Sequence, residues 1–418
     1  MNQEQLLLER GQLPGNSQSE SGGQPTGNFV EDLRKFSSFG ESTRIETVNG
    51  TSYFINEFWT ARQRQAHRLH EVSYRACFKP QLPAFFIDRL SSPGDIVFDP
   101  FMGRGTTPIE AALRDRTPYG NDINPLSAAL AAPRVKPPTL SEINERLAEI
   151  PWNAFGEAQS QELLVFYHPQ VLAHIEGLRT WLIRRERAGL LDRVDRWIRM
   201  VALNRLTGHS SGFFSVYTLP PNQAVSIERQ AKINKKRGQS PPLRDVAGII
   251  AKKSRSLLSQ GSIDSPQSVF TTCCSHNIAE IPDNAVSLTV TSPPFLDIVN
   301  YEADNWLRCW FLDIDPKQVQ ITSLRNVTDW QHFISSTLRE LARLTRPGGH
   351  IAFEVGEVRN GTVRLDENVI AAAENLPLST LGVMINQQNF TKTSNCWGVT
   401  NNKNGTNSNR IVIFQKQP

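Results

Sequence analysis

Two short stretches of this sequence combine residue types suited to chemistry on a bound ligand. The first is Asp99-Pro100-Phe101-Met102-Gly103-Arg104-Gly105-Thr106-Thr107, and the second is Thr291-Ser292-Pro293-Pro294-Phe295. In the first, Gly103 and Gly105 let the backbone approach a ligand closely, and the helix that follows offers unpaired N–H groups at its start. The stretch lacks the third glycine of a dinucleotide fingerprint and the Gly-Lys-Ser/Thr of a phosphate loop, so a nucleoside without phosphates fits it better than NAD or a nucleoside triphosphate. Asp122, at the end of the next apolar run, is placed to accept hydrogen bonds from ribose hydroxyls. Capping the helix that Pro125 opens is the other use open to it.

The second stretch suits a different task. An exocyclic amino group on a nucleobase is a poor nucleophile, because its lone pair is delocalised into the ring. Acceptors that bind both amino hydrogens favour a tetrahedral nitrogen with that pair freed, and prolines stiffen the backbone that presents them. Ser292 Oγ and the carbonyl of Pro293 are the candidate acceptors, with Pro294 stiffening the turn. The ring of Phe295 can stack on a base rotated out of a duplex. Ser240-Pro241-Pro242-Leu243 repeats the tripeptide but lacks both a preceding apolar strand and an aromatic successor, and no chemistry is assigned to it.

Both stretches follow short apolar runs, at residues 95–98 and 285–290, of the type that forms buried strands. Strand, glycine loop and helix succeed one another from residue 95 to about 116. A second strand is expected at 118–121, a small-residue helix begins at Pro125, and 133–138 reads as a linker. From 140 to about 265 the alternation gives way to helical patterning, a Gly/Ser/aromatic loop and a basic stretch. It resumes with strands at 268–270, 285–290 and 350–356, the last entered by a turn at Arg346-Pro347-Gly348-Gly349, and a closing hairpin follows. The expected fold is α/β, a doubly wound Rossmann-like sheet with a largely helical insertion. The expected organisation is a disordered tail at 1–28, an N-terminal helical segment and first part of the sheet domain at 29–138, an insertion at 139–266, and the second part at 267–418.

At 418 residues the chain is long for one compact domain, so one large core with an insertion, or two lobes, is expected. Its 39% hydrophobic and 21% charged content is ordinary for a globular protein, and no apolar run is long enough to span a bilayer. No membrane partner is expected. The five cysteines show no Cys-x-x-Cys spacing, which suits reduced thiols in cytoplasm and argues against a bound metal. None follows a proline, which argues against attack on cytosine C5 by a Pro-Cys nucleophile. With a net charge of only +4, a polyanionic partner would need a local patch. Arg229, Lys232, Lys235, Lys236 and Arg237 supply one, continued by Arg244, Lys252, Lys253 and Arg255 against Asp245 alone. Asn222 and Gln223, just before it, are candidates for reading base edges. A solvated helix face explains such a run equally simply, and Phe213 and Phe214 read as core.

The two loops together resemble the cofactor loop and the catalytic loop of the amino-group DNA methyltransferases, which modify cytosine N4 or adenine N6. The segments 78–101, 281–295 and 344–356 match that family in the same order. The resemblance implies S-adenosylmethionine as cofactor, held by Asp99, Pro100, Phe101, Gly103, Gly105 and Thr106, with Asp122 at the ribose and Lys79 and Pro80 near the methionine end. It implies catalysis by Ser292, Pro293, Pro294 and Phe295. Serine at the head of the catalytic loop goes more often with cytosine N4. Double-stranded DNA is the implied partner, a cognate restriction endonuclease the further one, and the insertion the implied target-recognition region. Adenine N6, an RNA amino group and a catalytically inactive DNA-binding homologue stay open as other readings. Where many relatives carry Gly-Asp to reach the cofactor's adenine, this chain has Thr272-Cys273-Cys274.

Overall fold

The structure, a computed structural model, describes residues 28–60, 66–74, 77–218, 224–261, 263–294, 301–319, 324, 326–358, 363–387 and 408–418. The first elements are α1 (Phe29–Lys35), β1 (Arg44–Val48), β2 (Thr51–Asn56) and α2 (Gln81–Leu90). Then come β3 (Ile96–Asp99), α3 (Thr106–Ala112), β4 (Thr117–Asn121) and α4 (Pro125–Val135). Five helices follow without an intervening strand: α5 (Leu140–Glu149), α6 (Pro169–Arg187), α7 (Arg193–Leu203), α8 (Ile227–Arg237) and α9 (Val246–Leu257). The chain closes with β5 (Val269–Thr271), β6 (Val286–Thr291), α10 (Tyr301–Leu312), α11 (Val327–Leu344), β7 (Thr345–Val355), β8 (Glu357–Val358), β9 (Val363–Arg364), α12 (Leu365–Ala372), β10 (Leu378–Gln387) and β11 (Ser408–Lys416).

Nine strands form one sheet in the order β1-β2-β10-β11-β7-β6-β3-β4-β5. The run β5-β4-β3-β6-β7 is parallel throughout, and β11 joins β7 antiparallel. Parallel strands are covered on both faces and need continuous apolar sequence, and every residue of β6 is buried. Along β7 the side chains alternate. Ile351, Phe353 and Val355 pack under α11 and α12, while Ala352 packs on the other side with α2. From β3 the chain steps to β4 and β5 on one side, then returns to place β6 and β7 on the other. The fold is thus the doubly wound sheet that the sequence implies, and the reversal between β3 and β6 opens a crevice at their carboxyl ends, where such sheets bind ligands.

Three local expectations change. The segment before β3 is not helical throughout, because β1 and β2 form a hairpin on Asn49-Gly50, both at positive φ (49° and 78°). That dipeptide between strands is the signature of a tight hairpin turn. The linker expected from 133 begins later, since Pro133 lies inside α4. Arg346-Pro347-Gly348-Gly349 is not a turn ahead of the strand but an irregularity within it: the register jumps from Val286↔Thr345 to Leu288↔His350, with Gly348 at φ 75°.

The helices α5 to α9 have no core of their own. Ile143, Trp197 and Ile250 belong to one apolar cluster with Ile109 and Leu130 of α3 and α4 and Leu307 and Phe311 of α10. The helical section is therefore fastened to α3, α4 and α10 by shared packing. Capping boxes at Thr139/Glu142 and Asp192/Asp195 start α5 and α7.

Candidate active site

The crevice is a cleft lined from both loops, with Asp99, Gly103, Asp122 and Ser292 among its walls. Asp99 closes β3 and is 1% exposed. Its Oδ1 accepts hydrogen bonds from Thr291 Oγ1 at 2.6 Å and from Phe101 N at 3.0 Å. Its Oδ2 is buried without a hydrogen-bonding partner among the described residues. Burial pushes this carboxyl up to about 7. A buried carboxyl with an unanswered oxygen in a cleft wall is a docking point for a cationic or hydrogen-donating ligand group.

Asp122 follows β4. Its Oδ2 accepts from Gly103 N at 3.0 Å and its Oδ1 from Asn124 N at 2.9 Å, and burial raises its pKa as well. The capping role is taken by Asn124, whose side chain accepts from Leu126 N at 3.0 Å. Asp122 instead holds the glycine loop to the end of β4 while remaining in the cleft wall. Pro100, Phe101 and Thr106 also line the cleft, and the ring of Phe101 lies 5.9 Å from that of Phe333.

The two glycines do different work. Gly103 lies at φ 48° in the wall of the cleft. Gly105, at φ 80°, is outside that wall: a Cβ there would sit 2.5 Å from Cβ of Ala131, so the close approach it permits is to α4. Lys79 and Pro80 also lie outside the cleft lining. Pro80 precedes α2 in a neighbouring groove, and partial burial lowers the pKa of Lys79.

On the other side of the switch point, Ser292, Pro293 and Pro294 line the cleft. Phe295 lies outside the described residues. Two hydrogen bonds fix this loop. Trp330 Nε1 on α11 donates to the carbonyl of Pro294 at 3.0 Å. The Ser292 hydroxyl is hydrogen-bonded to Glu354 of β7, which is 6% exposed and also accepts from Asn409 Nδ2 at 2.7 Å. Burial raises the Glu354 pKa, opposed by these two hydrogen bonds.

Four residues that the motifs did not point to hold this arrangement together. Besides Glu354 and Trp330 there is Asn121, wholly buried at the end of β4, which donates to the carbonyls of Pro100 and Cys273 and accepts from Thr271 Oγ1 and Cys273 N. Arg134, 0% exposed on α4, donates to the carbonyls of Leu130, Leu69 and Arg104 and so clamps the glycine loop from behind. Its pKa falls to about 9, chiefly through burial. Glu354 is the most legible of the four: a carboxylate inside the apolar run Ile351-Ala352-Phe353-Glu354-Val355 needs a reason to be there.

After β5, where the resemblance expects Gly-Asp, Cys274, Ser275 and His276 enter the cleft wall. Ser275 is engaged with Thr337 Oγ1 at 3.0 Å. Arg229, Lys232, Lys235, Lys236 and Arg237 all lie on α8 and line neither the cleft nor the neighbouring groove. The inner face of α8 is docked by Gln230 on the Tyr217 carbonyl at 3.1 Å and by Asn234 on that of Val165 at 2.7 Å. Asn222 and Gln223 lie outside the described residues. Among the described residues no helix is long and apolar enough to cross a membrane, and no cluster of three or more His, Cys, Asp or Glu could hold a metal. Phe213 and Phe214 are buried, at 8% and 0% exposure.

The family model for DNA methylase matches residues 17–132, which include the glycine loop. The chain is also similar to three methyltransferases, two of them type II and one orphan. The chain is 27% identical to Type II methyltransferase M.MvaI of Kocuria varians over 124 residues, 29% of this chain and 26% of that protein. It is 30% identical to Type II methyltransferase M.MjaII of Methanocaldococcus jannaschii over 89 residues, 21% of this chain and 16% of that one. It is 44% identical to Orphan methyltransferase M.BamHII of Bacillus amyloliquefaciens over 102 residues, 23% of this chain and 38% of that one. The similarity thus spans well under half the length of each of these relatives.

Proposed function

We propose that this chain is a site-specific DNA methyltransferase that transfers a methyl group from S-adenosylmethionine to N4 of cytosine in duplex DNA. The observation that carries the reading is the meeting of Asp99 and Ser292 in one cleft, on loops almost two hundred residues apart in sequence, at the switch point of the sheet. The relatives, two of them type II methyltransferases, support the reaction class.

The cleft suits the cofactor on its own terms. It presents a buried carboxyl with a free oxygen at Asp99 and a second buried carboxyl at Asp122. S-adenosylmethionine, when bound, supplies a methyl group already activated as a sulfonium, so the protein's task is orientation. Asp99, Phe101, Gly103 and Asp122 would hold it. Ser292 donates its proton toward Glu354, which turns its oxygen lone pairs to the cleft, where they accept from a target amino group. The Pro294 carbonyl is occupied by Trp330. The Pro293 carbonyl is then the second acceptor on the rigid turn. Pairing both amino hydrogens frees the nitrogen lone pair for in-line attack. A serine in this position, without a carboxylate, favours cytosine N4 over adenine N6. The helical section at 139–266 serves as the target-recognition region in this reading, and a cognate endonuclease is its natural partner.

The experiment is direct. The chain incubated with methyl-labelled S-adenosylmethionine and mixed-sequence duplex DNA should place label in the DNA. Label in transfer RNA and none in DNA would overturn the reading.

A further inference from the structure

We infer that a groove beside the cleft, separate from the basic face of α8, seats the phosphodiester backbone that flanks the target base. This rests on the reading above. The groove is open to solvent and shares Tyr74 with the cleft as a common wall. Four cationic side chains converge in it from four parts of the chain. Arg68 comes from the turn before α2, Arg104 from the glycine loop, Arg205 from the residues after α7, and Lys253 from α9.

Glu71 is the one carboxylate among the lining residues, and it is already shared: Arg68 Nη1 and Lys253 Nζ each reach it at 2.6 Å. Arg205 has no carboxylate of its own among the described residues. Its guanidinium lies 4.1 Å from the Phe213 ring centroid, and its Nε is buried without a partner among those residues. Burial draws its pKa down to about 10, which leaves it charged at neutral pH. Arg104 spends Nη1 on the Val72 carbonyl and Nε on Thr106 Oγ1, which aims the guanidinium without neutralising it. Positive charge that the fold concentrates and does not balance calls for an anionic ligand.

Shape and position choose the ligand. A groove with cations brought to it from four separate segments suits a chain of anions better than one small ion. Its shared wall with the cleft places those anions beside the base that the cleft would receive. Backbone contacts of this kind set the register of a protein on nucleic acid while the base is held elsewhere. The cations of α8, by contrast, sit on a helix that lines neither space.

The test compares duplex affinity across salt concentration for the wild-type chain, Arg68→Gln, Lys253→Gln, Glu71→Gln and a combined Lys232→Gln/Lys235→Gln/Lys236→Gln variant, with S-adenosylmethionine binding measured in parallel. Removing one cation from a phosphate lowers the slope of log affinity on log salt by roughly 0.9. Arg68→Gln and Lys253→Gln should lower the slope by about that much and weaken duplex binding several-fold, with cofactor binding unchanged. Glu71→Gln, which releases two cations, should strengthen duplex binding, an effect that general damage to the fold would not produce. Unchanged slopes in the groove variants, or weakening confined to the α8 variant, would overturn the groove assignment while labelling of DNA by the wild-type chain left the methyltransferase reading standing. Phosphate competition that needs more phosphate in Arg68→Gln and Lys253→Gln than in the wild-type chain, with the salt slope of duplex binding unchanged, would reassign the groove to a small anion. A wild-type chain that binds and labels transfer RNA in preference to duplex would overturn both.

Discussion

Thr291 Oγ1 donates to Asp99 Oδ1 across 2.6 Å, and this bond joins the last residue of β6 to the last residue of β3. It ties the loop that carries Ser292 to the loop that carries Gly103, so neither can move far without the other. Thr107 Oγ1 of α3 adds a second tie, to the carbonyl of Val290 at 2.9 Å. The crevice is held at a fixed width by side chains of the two motifs themselves. Thr291→Val keeps the shape and removes one of the two donors to Asp99 Oδ1, and losing a hydrogen bond to a carboxylate costs about 1.5–3 kcal/mol. Urea unfolding should show a stability loss of that size, and methyl transfer should fall further than stability alone accounts for.

Asp99 makes cofactor binding depend on pH. Its ordinary value is 3.8 and the fold raises it to about 7, so the folded chain keeps a proton that the unfolded chain has lost between those values. The stability this group contributes is present below pH of about 4 and is lost as pH rises through about 7. A cationic ligand group beside the carboxyl favours its ionised form, so binding should release a proton. Affinity for S-adenosylmethionine should rise from pH 6 to pH 8, and calorimetry near pH 7 in buffers of different ionisation enthalpy should register about half a proton released. Asp99→Asn should flatten both dependences; an equally steep variant would show that another group is responsible.

Ser292 and Glu354 should behave as one unit. Ser292→Ala should lower kcat on the order of a hundredfold with cofactor affinity unchanged, the scale for one preorganised hydrogen bond at a reacting group. Glu354→Ala should approach the same loss, because the serine is then free to turn its proton into the cleft. Glu354→Gln keeps an acceptor oxygen and should retain more activity. The double variant Ser292→Ala/Glu354→Ala should be no worse than Ser292→Ala alone, and additive losses would separate the two residues.

Gly105 should prove to be a packing residue. Gly105→Ala places a Cβ against Ala131 and requires φ 80° of a residue that disfavours it. Strain of this kind costs roughly 1–3 kcal/mol. Thermal melting should show the loss, and Ala131→Gly should restore part of it by removing the clash but not the strain. Full loss of cofactor affinity without any fall in Tm would place Gly105 in the cleft after all.

The sheet and the two loops are legible in the sequence because their signals are local. A short apolar run before Asp99, a glycine loop and a Pro-Pro turn each occupy a few adjacent residues, and in a doubly wound sheet the ends of such runs must share a crevice. What escapes is non-local or masked by a stronger pattern. The partnership of Ser292 with Glu354 depends on β6 lying beside β7, a pairing that no spacing within either strand encodes. Arg134 sits in a helix of small residues and acts on carbonyls of Leu69 and Arg104, far off in sequence. The hairpin on Asn49-Gly50 has its own turn signal, but the aromatic and basic residues around it also fit a helical period, and that longer pattern hides it. The groove of Arg68, Arg104, Arg205 and Lys253 is assembled from four segments, whereas the run on α8 is conspicuous because it is contiguous.

The most direct test of the central claim is the identity of the modified base. Duplex DNA methylated by the wild-type chain with labelled S-adenosylmethionine is digested to nucleosides, and the labelled nucleoside is identified by mass spectrometry. The expected nucleoside is N4-methylcytosine, formed roughly a hundredfold more slowly when Ser292 is replaced by alanine. N6-methyladenine would contradict the assignment of base while keeping the amino-group chemistry, and 5-methylcytosine or unlabelled DNA would contradict the mechanism itself.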